Sequence, residues 1–175
     1  RVAEVASRSV YAGAEIVVNV QGDEPFLPHA AISGAVDQVR SGFDVGTAAV
    51  PLREQDAGAP SLVKVAMGEG GRALYFSRAA IPWWRDGMGS LVSGEALAAL
   101  PSPVPLRHIG IYGYRRSLLM QMPQWPVGRL EQIEKLEQLR VLENGGAILV
   151  AVTAQATRGI DTPEDFADFV ARRAA

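Results

Sequence analysis

Two carboxylates, Asp23 and Glu24, follow the apolar run Glu15-Ile16-Val17-Val18 within the segment Asn19-Val20-Gln21-Gly22-Asp23-Glu24-Pro25. A short β-branched run of this kind reads as a buried strand of an α/β sheet. Such strands deliver ligands to the crevice outside their carboxyl ends. Acids at that point suit a Mg²⁺-bound nucleotide, and Gly22 lets the backbone approach it closely. Ordinary turn chemistry accounts for the same residues, since Asp, Gly and Pro all form turns. A third acid, Asp161, directly precedes the helix start Thr162-Pro163-Glu164-Asp165, with Thr162 as N-cap and Pro163 at the first helical position. An acid there is ordinarily a cap. If the strand ending at Asp23 and the one ending near Val152 are neighbours, Asp23 and Asp161 share one Mg²⁺, with phosphate and water oxygens filling its remaining sites.

Arg107-His108-Ile109-Gly110-Ile111-Tyr112-Gly113-Tyr114 alternates as a strand. His108, Gly110, Tyr112 and Tyr114 fall on one face and Ile109 and Ile111 on the other. A donor-rich face with a glycine gap suits a polyhydroxylated ligand lying near the backbone. The competing reading is a sheet face whose aromatics cover a helix. Glu137 lies on an apolar stripe with Leu130, Ile133 and Val141, so its carboxylate needs a partner. An ion pair with Arg140 is the conservative solution. Gln138 beside it is a neutral donor and acceptor, and sugar hydroxyls would satisfy both residues. Arg85, after Trp83-Trp84, is able to clamp a carboxylate or phosphate bidentately, although most loop arginines are simply solvated. Lys64 reads as an exposed strand residue.

The elements that position these residues alternate between strand and helix. A helix spans Arg1 to Tyr11, with Gly13 as its stop, followed by a strand over Glu15 to Val20. Pro28 opens a helix to about Arg40, and Val45 to Leu52 is a second buried strand. Val63 to Met67 and Ala73 to Ser77 flank Gly68-Glu69-Gly70-Gly71 as a hairpin. An irregular Gly- and Pro-rich stretch runs from Ile81 to Pro105, and a loop of that length is commonly functional. A strand over Leu106 to Arg115, a short helix over Arg116 to Met122, a helix over Leu130 to Glu143 and a strand over Ala147 to Val152 complete the pattern. The expectation is a single α/β domain over 1–175 with a hairpin-rich insert around 62–115.

The composition of this 175-residue chain is globular, with 48% hydrophobic and 21% charged residues. A formal net charge of -2 supplies no field that would draw the chain onto nucleic acid or an anionic membrane. No apolar run reaches the roughly 18 residues of a spanning helix, and the expected compartment is the cytoplasm. With 0 cysteines, disulfides, thiolate chemistry and Cys-ligated zinc are excluded. The 2 histidines, His29 and His108, are too few for a His-rich metal site.

Six blocks, in order, resemble one family. They are Val18-Asn19-Val20-Gln21-Gly22-Asp23-Glu24-Pro25, Ala73-Leu74-Tyr75-Phe76-Ser77-Arg78, Ile81-Pro82-Trp83, Arg107 to Tyr114, Leu136-Glu137-Gln138-Leu139-Arg140, and Gly159-Ile160-Asp161-Thr162-Pro163-Glu164-Asp165. The family is the 3-deoxy-manno-octulosonate (Kdo) cytidylyltransferases, or CMP-Kdo synthetases. The resemblance implies a Rossmann-like nucleotidyltransferase fold with a mixed sheet, a homodimer, and the reaction of CTP with Kdo to CMP-Kdo and pyrophosphate for lipopolysaccharide biosynthesis. It implies Asp23 and Asp161 as catalytic Mg²⁺ ligands. It also implies Gln21, Arg85, His108, Tyr112, Glu137 and Gln138 as the Kdo pocket, with Trp84 a departure from the usual pattern.

Family members begin with a strand and a basic loop of the Ile-Pro-Ala-Arg…Arg-Leu-Pro-Gly-Lys type that binds the CTP phosphates, and Arg1 aligns beyond it. The expectation is therefore a partial sequence lacking the N-terminal strands, with negligible turnover from residues 1–175 expressed alone. Three other readings compete. One is a cytidylyltransferase for another acidic sugar. Another is a nucleotide-sugar glycosyltransferase, against which the adjacent acids Asp23-Glu24 argue. The last is a non-catalytic sugar-binding or dimerisation module.

Overall fold

The structure, a computed structural model, describes residues 1–21, 27–53, 56–83, 105–154, 166–167 and 170–171. Its strands are β1 (Ile16–Val20), β2 (Val45–Pro51), β3 (Lys64–Met67), β4 (Ala73–Ser77), β5 (Leu106–Arg115) and β6 (Ile148–Val152). The helices are α1 (Val2–Ala6), α2 (His29–Arg40), α3 (Arg116–Gln121), α4 (Arg129–Glu134) and α5 (Leu139–Glu143). Among the described residues, no helix is long and apolar enough to cross a membrane.

All six strands join one mixed sheet in the order β4-β3-β5-β2-β6, with β1 also paired to β5. The β2–β6 pair is parallel and the other pairs are antiparallel. The long strand β5 is buried almost throughout, as a central strand must be. Along one edge it carries β2. Along the other, β1 pairs with Ile111–Arg115 and β3 with Leu106 and Arg107. The amide of His108 donates to Val63 O at 2.9 Å. The β5 edge beyond its pairing with β1 is thus occupied by Val63 and β3.

Alternation divides the core between the two faces of the sheet. On one face α2 sets Ala31 and Ala35 against Ala48, Val50, Ile109 and Ile111. The approach is close enough that a Cβ on Gly46 would collide with the Ala35 carbonyl oxygen. The opposite face packs Phe76, Leu106, Tyr112, Leu139, Val141 and Ile148 together. Pairing of β2 with β5 shifts register between Thr47, opposite Tyr112, and Ala48, opposite Ile109. Gly110 and Ile111 are thereby skipped. An even number of skipped residues preserves the inward–outward alternation on both sides of the irregularity.

Several sequence expectations change. The helix expected over Leu130 to Glu143 is two short helices, broken at Lys135 in the left-handed conformation (φ 56°). The apolar stripe is accordingly interrupted, and Ile133 is 77% exposed. The first helix stops at Ala6, and a separate 3₁₀ turn covers Ser9–Tyr11. Lys64 is fully buried rather than exposed. Its Nζ donates to the carbonyls of Ala59 (2.7 Å), Leu62 (2.9 Å) and Arg78 (2.7 Å). A ring of carbonyls saturates the ammonium, which makes its burial tolerable. Burial, with the charge of Arg78 second, lowers its pKa. The helix start expected at Thr162 lies outside the described residues.

Candidate functional site

The face opposite α2 holds a cavity of about 480 Å³, bordered by the end of β1, the loop before β3, the end of β4, the middle of β5 and the break between α4 and α5. Strand alternation selects its floor: His108, Gly110, Tyr112 and Tyr114 all reach it from β5. The break at Lys135 selects its wall, since a continuous helix would carry Glu137 and Gln138 round with the helical repeat. Lys135, Leu136, Glu137 and Gln138 instead line the cavity in a turn. At the end of β1, Gln21 lies over Gly110, where a Cβ would stand 2.5 Å from Gln21 Oε1. The glycine gap noted in the sequence is filled by this carboxamide.

The floor is an aromatic ladder. Phe76 meets the His108 ring edge-on at 5.1 Å, His108 lies 5.3 Å from Tyr112, and Tyr112 stacks on Tyr114 at 5.7 Å. Burial, with the Arg107 charge second, drives the His108 pKa down to about 3, so the ring is neutral near pH 7. Burial also raises both tyrosine hydroxyls, with Tyr114 and Glu137 adding to the effect at Tyr112. These three groups therefore act as neutral hydrogen-bonding groups and not as charges or bases. Charges line the cavity as well, Glu137, Arg78 and Lys135 on its walls and Arg107 from β5.

Glu134, at the end of α4, fixes that wall. Its carboxylate accepts from Ser77 Oγ at 2.6 Å and from the Arg78 amide at 3.0 Å, and its carbonyl accepts from Arg78 Nε at 3.0 Å. Burial works against its ionisation, but the Arg78 amide, the Ser77 and Tyr75 hydroxyls and the Arg78 charge together hold its pKa below the usual range. Behind the wall, Arg140 pairs with Glu131 and not with Glu137. Its Nε reaches Glu131 Oε2 at 2.6 Å and its second nitrogen reaches Oε1. The expected Glu137–Arg140 pair fails because the break turns Glu137 away, leaving it exposed on the cavity side.

Of the sequence candidates, Gln21, His108, Tyr112, Glu137 and Gln138 come together on one cavity. Asp23, Arg85 and Asp161 lie outside the described residues. The strands preceding the two acids are not neighbours, because β5 and β2 stand between β1 and β6. Both nevertheless run in the same direction, so their carboxyl ends emerge on one side of the sheet. Among the described residues, no group of three or more His, Cys, Asp or Glu side chains forms a metal cluster. Sequence reasoning overlooked Asn19, Arg78 and Lys135, which line the cavity, and Thr47, which does not line it but touches His108. Asn19 and Arg78 sat inside the family-like blocks, but Lys135 carried no local signal. Thr47 stood out only as the one polar side chain in Val45-Gly46-Thr47-Ala48-Ala49-Val50.

A polar cavity with neutral donors and acceptors on its floor and charges of both signs on its walls suits a polyhydroxylated acid. Comparisons with known proteins give the family. Residues 1–152 match the family model described as cytidylyltransferase. A 3-deoxy-manno-octulosonate cytidylyltransferase of Leptothrix cholodnii is 48% identical over 169 residues, covering 94% of this chain and 60% of the relative. One from Xanthomonas campestris pv. campestris (strain B100) is 50% identical, covering 94% and 58%. The chain thus spans about six-tenths of the length of these curated relatives. Among solved structures, a CMP:2-keto-3-deoxy-manno-octonic acid synthetase complexed with CTP matches with a TM-score of 0.82 and 33% identity, over 98% of this chain and 66% of that one. The mixed α/β fold and the resemblance carried by the six sequence blocks are both borne out. By a match over most of its length and a sheet that superposes on a synthetase of this kind, the chain belongs to the cytidylyltransferase family.

Proposed function

We propose that the protein containing this chain is a nucleotidyltransferase that activates Kdo with CTP, giving CMP-Kdo and pyrophosphate for lipopolysaccharide biosynthesis. The observation that carries this reading is the convergence of Gln21, His108, Tyr112, Glu137 and Gln138, from well-separated stretches of sequence, on one polar cavity. Relatives named for the same reaction support it. Gln21, His108, Tyr112, Glu137 and Gln138 hold the sugar hydroxyls, and Arg85 adds a guanidinium for its carboxylate. Held in place, the anomeric oxygen attacks the α-phosphorus of CTP in line as its hydroxyl proton passes to solvent, the bond from that phosphorus to the bridging oxygen breaks, and pyrophosphate leaves. Positioning of this kind supplies a large part of such a barrier.

Asp23 and Asp161 are the proposed Mg²⁺ ligands. Their oxygens fit a hard cation that keeps sites free for phosphate and water. The strands leading to both acids end on the same side of the sheet, about 14 Å apart at ordinary strand spacing. The chain between Thr153 and Asp161 is long enough to cross that distance. Bound there, the metal would neutralise phosphate charge and orient the nucleophile. Residues 1–175 belong to one α/β domain in which the 62–115 region, rather than being an insert, supplies the β3–β4 hairpin and the central strand β5, and the protein works as a cytoplasmic homodimer. The full-length protein, given Mg²⁺, CTP and Kdo, should release pyrophosphate and form CMP-Kdo at least tenfold faster than with sialic acid. Absence of CMP-Kdo, or preference for another acidic sugar, would refute the assignment.

A further inference from the structure

Thr47 is fully buried, and the directions of both its hydrogen bonds are fixed by its neighbours. The register shift in the β2–β5 pair leaves Ile111 without a β2 partner, and Thr47 Oγ1 lies 2.6 Å from its carbonyl oxygen. A carbonyl only accepts, and two oxygens that close need a proton between them, so the hydroxyl proton goes to Ile111 O. The same Oγ1 lies 2.8 Å from His108 Nε2. Its one proton is already committed, so the proton on this contact must be the ring's. Nε2–H therefore donates to Thr47. A neutral imidazole carries a single N–H, which leaves Nδ1 as a lone pair. Among the described residues no hydrogen bond reaches Nδ1, and the ring forms part of the cavity floor. Phe76 and Tyr112 pack against the ring and hold its plane.

We infer that Thr47 is a positioning residue that locks His108 as the Nε2–H tautomer, making Nδ1 an acceptor-only subsite for a hydroxyl of the bound sugar acid. The inference deepens the proposed function and rests on the reading of this cavity as the sugar site. An acceptor-only atom takes a hydroxyl or amino group through its hydrogen. It repels a carboxylate, whose oxygens would meet a lone pair with no proton between them. The sugar is thereby oriented with a hydroxyl edge on β5 and its carboxylate turned away. The low basicity of the buried ring keeps this selectivity intact across the neutral range.

The test uses the full-length protein with ¹⁵N-labelled histidine, the His108 signals being identified by their loss in H108Q. Wild type and T47S should show protonated Nε2 and bare Nδ1. T47V, which removes the acceptor, should move the population toward Nδ1–H. It should also raise KM for Kdo about tenfold with KM for CTP unchanged, and T47S should restore it. Protonated Nδ1 in wild type, or an unchanged tautomer in folded T47V, overturns the inference with the cavity reading untouched. The wild-type measurement needs no variant, so it decides the tautomer even if T47V fails to fold. The expected tautomer with no Kdo-induced change at His108 overturns the subsite through the cavity reading itself.

Discussion

Gly110 offers a direct way to move one cavity group without disturbing the fold. In G110A the new Cβ would sit 2.5 Å from Gln21 Oε1 and 3.0 Å from its Cδ, and all three nearest atoms belong to Gln21. Among the described residues, no backbone and no core side chain lies closer to it than those three atoms. The carboxamide must retreat by about 1 Å, enough to stretch a normal hydrogen bond past its useful range. Loss of one neutral hydrogen bond to a sugar hydroxyl is worth about 1 kcal/mol net, or about fivefold in affinity. Stability should not fall, because alanine in a strand recovers roughly 0.5–1 kcal/mol over glycine. Calorimetric titration of Kdo into wild type and G110A, paired with thermal melts, separates the two effects. Weaker Kdo binding with an unchanged or higher Tm is the expected outcome. Affinity within a factor of about two of wild type would refute the placement of Gln21 against the sugar, and a clearly lower Tm would refute the claim that only Gln21 is displaced.

Other consequences are open to measurement. The folded-state pKa of His108 is depressed to about 3, so the unfolded chain takes up its proton first as pH falls. Stability from this group is full above its ordinary value near 6.5 and is lost progressively below it, by up to about 1.4 kcal/mol per pH unit. Urea titrations should show that slope in wild type and lose it in H108Q; equal slopes would contradict the buried neutral ring. For the Glu131–Arg140 pair, R140A should cost about 3–5 kcal/mol by leaving a nearly buried carboxylate unpaired, whereas R140K, which loses only the fork, should cost less. Equal, small losses in chemical denaturation would show the pair to be solvated. K64M strands the carbonyls of Ala59, Leu62 and Arg78 and should cost about 3 kcal/mol, despite its better hydropathy. A stabilised K64M would refute the carbonyl-cage account.

Local pattern was enough for much of this molecule. The β5 strand announced itself through strict alternation, and the same alternation put His108, Gly110, Tyr112 and Tyr114 on one surface. The β3–β4 hairpin followed from its glycines. What failed was non-local. Neither glycine nor proline marks the break at Lys135, where a lysine takes a left-handed conformation, so Leu130, Ile133 and Val141 looked like one buried stripe. Lys64 read as exposed because its three carbonyl partners belong to loops that sequence periodicity does not place. Thr47 finds its partners 61 and 64 residues away, a distance at which no spacing rule operates. Strand order is likewise not a local property, and the condition that β1 and β6 be neighbours is not met, since β5 and β2 lie between them.

Glu134 has a mechanical consequence. Because its carboxylate and carbonyl lace the end of β4 to the end of α4, the stretches that carry Arg78 and Glu137 swing as one body or not at all. Widening the enclosure from that flank means breaking several short polar bonds together. Any adjustment to longer or shorter guests therefore falls to groups outside that lacing, Gln21 over Gly110 among them.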